Sequence, residues 1–279
     1  MDADYSEREI EEAFRFLENE ELIFPVDGFY SLYNNPFLVQ RRKKGNEKAI
    51  GQLRIAAKLA KLLSRFPYVR GIAVSGSLSK NFADERSDID FFIITTKDRL
   101  WIARTFMHLF KKFTYLVGKQ HWFCMNYYVD ESGLELKEKN IFTAMEAITA
   151  KPLRGDSAFR EFIVANKWTK KFFPNRIMEI NNSQKIRKGL LKPFVEMIFN
   201  NKMGNWLNDQ FMKITMRRWK KKEESKRKNL RGIIMGIDAG KHYCKPDPRY
   251  FQQKVVAQFN LKMEQLMMQL EPLPSVKAV

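Results

Sequence analysis

The sequence predicts an α+β fold, a β-sheet core flanked by helices with a helical second half. Three observations carry that expectation. Short apolar runs rich in β-formers alternate with helical spacing between residues 46 and 138. No convincing strand pattern follows Ile141. The 279 residues, 44% of them hydrophobic, suffice for one large or two ordinary globular domains.

In chain order, residues 6–19 place Ile10, Ala13, Phe14 and Leu17 at helical spacing, with Ser6 as N-cap and Glu9 as its capping-box partner. Asp27-Gly28 between two β-rich runs signals a tight hairpin. Helix plus hairpin fits either a small winged-helix-like unit or an appendage packed on the main domain, residues 1–45. Ile50, Leu53, Ala56, Ala57, Ala60 and Leu63 share one face of a helix over about 46–65, which Pro67 stops. Gly71–Ser75 reads as a strand, 78–84 as a helical turn or two, and 88–95 as a second strand. "KDRLWIARTFMHLFKKFTYLV" reads as a crossover helix leading to the strand "HWFCMNYYVD", and 133–138 as a further short strand. The core then spans 46–150, a break falls near 151–156, and 151–279 forms a helical domain.

The net charge of +18 implies an anionic partner, or a basic chain kept soluble by self-repulsion. Its densest cations lie at 41–48 and 217–231, expected to bind RNA or another polyanion. Trp219 among them suits base stacking or anchors its helix. Two cysteines outside any Cys-x-x-Cys argue against a zinc site or disulfide framework and fit a cytoplasmic chain. The polar, acidic start is unlike a signal peptide, and no apolar run approaches the ~18 residues of a membrane span.

The chemistry concentrates in "GIAVSGSLSKNFADERSDIDFFIITT". Alternation along a strand puts Asp88 and Asp90 on one face with Ile89 opposite. Two such carboxylates repel unless a divalent cation lies between them, and Mg²⁺ accepts one or two carboxylates together with phosphate oxygens. Gly76 lets a backbone approach a phosphate, and Ser77 adds a hydroxyl and an N–H at an expected helix start. Lys80 either reaches a phosphate or is solvated. The loop lacks the G-x-x-x-x-G-K-[ST] spacing. "GKHYCKPDPRY" brings His242 near Cys244 and Asp247 without metal-site spacing and reads as a structural loop. Arg104, about one helical turn beyond Arg99, either faces a triphosphate or lies on the surface, and Trp101 reads as core packing.

Gly76, Ser77, Asp88 and Asp90 resemble the mark of the nucleotidyltransferase superfamily of the DNA polymerase β type. The likeness covers roughly residues 70–130. A narrower group of bacterial and archaeal nucleotidyltransferase-domain proteins is similar over most of the chain, through "DGFYSL", "VSGSLSKNFADERSDIDFFIITTKDRLWIART", "FCMNYYVD" and "NIFTAMEAI". The resemblance implies a nucleotidyltransferase-type mixed sheet. It also implies Mg²⁺- or Mn²⁺-dependent transfer of a nucleoside monophosphate from an NTP such as ATP. Asp88 and Asp90 would be the catalytic metal ligands, and Gly76, Ser77, Lys80 and Asn126 would bind nucleotide. Many members carry a third carboxylate where this chain has Asn126, which cannot act as a base. Asp130 and Glu135 are fallback acids or solvated charges. A catalytically weak nucleotide- or RNA-binding module on the same fold is the alternative reading.

Overall fold

The computed structural model describes residues 5–85, 87–115, 123–180, 183–186, 189, 191–226, 235–248 and 251–270. It opens with α1 (Glu7–Asn19), where Ser6 and Glu9 form the expected capping box. The hairpin β1 (Phe24–Val26) and β2 (Phe29–Ser31) follows. Asp27 and Gly28 both take positive φ, as a tight two-residue turn demands.

Next, α2 runs from Pro36 to Leu63, ten residues earlier than the periodicity implied. Asn35 caps it through Phe37 N–H, and Pro36 fits its first turn. Gly45 lies inside the helix, and glycine suits the position because the Phe82 ring comes within 2.4 Å of where a Cβ would stand. The basic run 41–48 is therefore helical, and part of it has structural partners. Lys43 pairs with Asp27, Arg42 donates to the Lys80 carbonyl at 2.8 Å, and Arg41 lies over Phe82.

The core alternates strands and helices in the order β3 (Val69–Val74), the short α3 (Gly76–Ser79), β4 (Asp90–Thr95), α4 (Leu100–Tyr115), β5 (Cys124–Asp130) and α5 (Ile141–Thr149). After these come β6 (Lys151–Arg154), α6 (Asp156–Ala165), α7 (Leu191–Phe199), α8 (Lys202–Glu224), β7 (Met235–Ala239), β8 (Tyr243–Pro248) and α9 (Phe251–Leu270). Six strands form one sheet in the order β6-β3-β4-β5-β8-β7. The β4–β5 pair is parallel and the others antiparallel, so the sheet is mixed. The fold is α+β, with α2, α4 and α8 packed on one face and α5 and α6 on the other.

Two expectations need correction. The second half is not free of strands, because β6, β7 and β8 extend the core sheet, and the break expected near 151–156 falls at β6, paired with β3. Pro246 and Pro248 masked β8, since proline reads against a strand. Residues 133–138 form no strand. Leu134 and Leu136 are buried, but Asn166 binds their backbone, accepting from Leu136 N–H at 2.9 Å and donating to the Leu134 carbonyl at 2.8 Å. Their backbone partner is thus a side chain and not a neighbouring strand.

Candidate active site at the sheet edge

Antiparallel pairing of β3 with β4 sets Val74 opposite Phe91, so the turn after β3 lands beside Asp90. Ser75 N–H donates to the Asp90 carbonyl at 2.9 Å. Gly76 follows with φ +67°, a conformation glycine adopts without strain. A Cβ there would stand 2.7 Å from Asp90 Oδ2. Glycine is therefore required twice, by its backbone angle and by the carboxylate against it.

Asp88 precedes β4, outside the strand expected to begin there. Asp88 and Asp90 are half-buried on either side of buried Ile89. Ser77 is exposed, and its carbonyl accepts the N–H groups of Lys80 and Phe82, which closes the turn. Lys80 is not a free surface cation. Its ammonium donates to the Gly76 carbonyl at 3.1 Å and pairs with Glu146 at 2.6 Å.

Asn126 occupies a bulge. Phe91 is opposite Met125 and Phe92 is opposite Tyr127, so Asn126 is an extra residue in β5. A bulge re-aims its side chain. Here the Asn126 amide donates to Asp90 Oδ1, and Cys124 Sγ donates to Asn126 Oδ1 at 3.1 Å. Burial, reinforced by the negative charge of Asp90, pushes the Cys124 thiol up to about 12, so it stays protonated.

Sequence reasoning missed Glu146. From α5 it accepts Gly76 N–H at 3.3 Å as well as the Lys80 ammonium. The segment "NIFTAMEAI" was noticed, but nothing in it ties position 146 to position 76, seventy residues earlier.

The fallback acids lie elsewhere. Glu135 is exposed and pairs with Lys139 at 2.5 Å. Asp130 is fully buried at the opposite end of β5, where Thr95 is its partner in β4. Five residues of strand separate it from the Asp90 level, roughly 17 Å at ~3.3 Å per residue. It accepts the N–H groups of Asp98 and Ser132 and lies 2.9 Å from His242 Nδ1. Asp98, Asp130 and His242 bring ligand atoms within 4.8 Å of one another, a geometry able to hold a metal ion. Lys241 already lies 3.0 Å from Asp98 there. That cluster and the Asp88–Asp90 edge are too far apart to share an ion.

Of the remaining candidates, Trp101 is fully buried, as expected of a core residue. Arg99 is buried and donates to the Asn205 side chain at 2.6 Å. Arg104 lines a groove of about 520 Å³ between α4 and α8 with His108, Lys112, Arg218, Trp219 and Lys222. Trp219 is half-buried there beneath the Lys222 ammonium. Residues 227–231 of the second basic run and His121 lie outside the described residues.

The Asp90 carboxylate at a bare glycine turn is a donor set that fits a hard divalent cation, with oxygen ligands and backbone access for phosphate. No curated protein and no solved structure matches the chain. A family model for the nucleotidyltransferase domain matches residues 56–146, the stretch from within α2 to α5 that holds every residue of this edge. Residues 56–146 therefore carry a nucleotidyltransferase domain.

Proposed function

We propose that the protein transfers a nucleoside monophosphate from an NTP, such as ATP, to an acceptor hydroxyl or phosphate. The acceptor oxygen bonds to the α-phosphorus, the α–β phosphoanhydride bond breaks, and pyrophosphate leaves. A hydroxyl acceptor gives its proton to water. Asp88 and Asp90 would hold Mg²⁺ or Mn²⁺, which in such sites neutralises phosphate charge and aligns the in-line displacement. The Gly76 and Ser77 turn would receive the triphosphate and Lys80 would pair with it, while Asn126 orients Asp90 through its amide.

The observation that carries this reading is Asp90 Oδ2 set against the Gly76 backbone, where no larger residue fits. The test is labelled NTP with Mg²⁺ or Mn²⁺, with and without cellular RNA. Pyrophosphate release should appear in the native chain and vanish in the folded Asp88→Asn, Asp90→Asn double variant.

A second reading has its own observation. The position where an acid is expected carries Asn126, so the fold could bind nucleotide or RNA with little turnover. NTP binding without pyrophosphate release under any acceptor would favour it. The cations of α2 and of the α4–α8 groove support binding of RNA or another polyanion to the outer surface. A shallow dependence of RNA affinity on salt would refute that. Among the described residues no helix is long and apolar enough to cross a membrane. Free Cys124 and Cys244 suit the reducing cytoplasm, where we place the chain.

A further inference from the structure

Beside Asp90 the α5–α6 side of the sheet leaves a cavity of about 300 Å³. It opens at Ser75, Gly76, Asp90 and Asn126. Its walls are mostly apolar, with Phe92, Tyr127, Phe142, Phe162 and Phe251 contributing aromatic rings. Phe251 from α9 meets Phe142 of α5 with ring centroids 6.2 Å apart, and Gln252 donates to the Thr143 hydroxyl at 2.9 Å. The C-terminal helix thus completes a site whose floor belongs to the nucleotidyltransferase domain.

We propose that this cavity is the acceptor site and that it takes a small hydroxyl compound with an apolar, ring-sized body, neutral or cationic and without phosphate. The proposal rests on the transferase reading, because it assigns the second substrate of that reaction. Position is the first argument. An acceptor must approach the nucleotide beside Asp90, and the cavity opens there. Size is the second. The volume is at the small end of ligand cavities, which run from roughly 300 to 1,000 Å³.

Charge is the third argument, and it separates small acceptors from nucleic acid ends. Among the described residues lining the cavity Lys245 is the only cation, and it is already paired with Glu138 and, at 3.4 Å, with Asp238. Asp90, Glu138 and Glu146 supply negative charge around it. The last nucleotide of a nucleic acid carries a phosphate close to its reacting ribose, and here that phosphate would lose water without gaining a cation. The basic run 41–48 lies on α2 and the described part of the run 217–231 lies on or just after α8, away from the residues that line this cavity.

The test uses the full chain without nucleotide and three ring probes that differ in charge, tyramine, tyrosol and phenyl phosphate. Dissociation constants from ligand-observed NMR should place tyramine and tyrosol in the millimolar range or tighter, with phenyl phosphate at least tenfold weaker. Ala147→Phe, which fills the cavity, should weaken tyrosol at least tenfold. Phe251→Ala, at an exposed rim position, should weaken it severalfold with the melting temperature unchanged, so a misfolded Ala147 variant does not decide the matter. Phenyl phosphate binding as tightly as tyramine, no binding by any probe, or displacement of tyrosol by adenosine would overturn the proposal. The last result would make the cavity a nucleobase site. MgATP affinity measured on the same sample keeps the two readings apart. Its absence counts against the transferase, whereas probe failure with MgATP bound counts only against the acceptor assignment.

Discussion

Replacing Glu146 with glutamine should tighten nucleotide binding, although it removes a charged residue from the site. Glu146 occupies two donors assigned to the triphosphate, Gly76 N–H at 3.3 Å and the Lys80 ammonium at 2.6 Å. A triphosphate must break the Lys80–Glu146 pair before it can claim that lysine. Both side chains are about one-third exposed, so the pair is worth up to about 1 kcal/mol. Glutamine keeps the packing and can still accept from Gly76, but it releases the lysine and removes a negative charge from beside the phosphates. A gain of about 1 kcal/mol is roughly fivefold in dissociation constant. The assay is calorimetric titration of ATP with Ca²⁺ in place of Mg²⁺, which limits turnover. A merely structural role for Glu146 would weaken binding on substitution. Unchanged or weaker affinity in the variant refutes the view that Glu146 holds the place of a phosphate.

Three further outcomes are expected. Gly76→Ala forces a side chain into a backbone with φ +67°, at a cost of about 1–2 kcal/mol, and pushes on Asp90. Urea denaturation should show that loss, and Mn²⁺ should no longer raise the melting temperature. Asn126→Asp replaces the amide donor to Asp90 with a like charge, so without divalent cations stability should fall by about 1–2 kcal/mol. Mn²⁺ should then raise the melting temperature of this variant more than that of the native chain. Burial first, then Arg104, Lys111 and Lys112, hold His108 well below its ordinary value of 6.5. Because the unfolded chain takes up that proton first, stability contributed by neutral His108 is present above pH 6.5 and declines as pH falls toward the folded value. Urea midpoints between pH 7 and pH 5 should fall less steeply in His108→Phe.

Local features of the site were legible because their causes are local. Ser6 and Glu9 are three residues apart, Asp27-Gly28 is a dipeptide, and Asp90 opens the apolar run that becomes β4. What escaped depends on partners distant in sequence. The reach of Asn126 to Asp90 comes from one extra residue in β5 relative to β4, and a bulge has no signature in "CMNYYVD". Glu146 reaches Gly76 because α5 packs across the end of β3, and helical spacing cannot say which loop an exposed face will meet. Likewise, 133–138 reads as a strand, but the partner of the Leu134 and Leu136 backbone is an asparagine about thirty residues later.

The sign of the charge at the edge separates what the whole chain attracts from what the site accepts. A net charge of +18 draws an anionic nucleotide from a distance, but salt screens that field over about 8 Å at physiological ionic strength. Inside that range the site is governed by its own groups. Asp88, Asp90 and Glu146 oppose a triphosphate, and Lys80 favours it only once Glu146 lets go. Arg42 acts through structure, since its guanidinium binds the Lys80 carbonyl and so ties α2 to the end of the glycine turn. Divalent cation and nucleotide should therefore bind with mutual reinforcement, because each offsets a charge that opposes the other. The described cations of α2 and of the α4–α8 groove, which make the sequence look like a polyanion binder, have other partners or face other surfaces and take no direct part in that exchange.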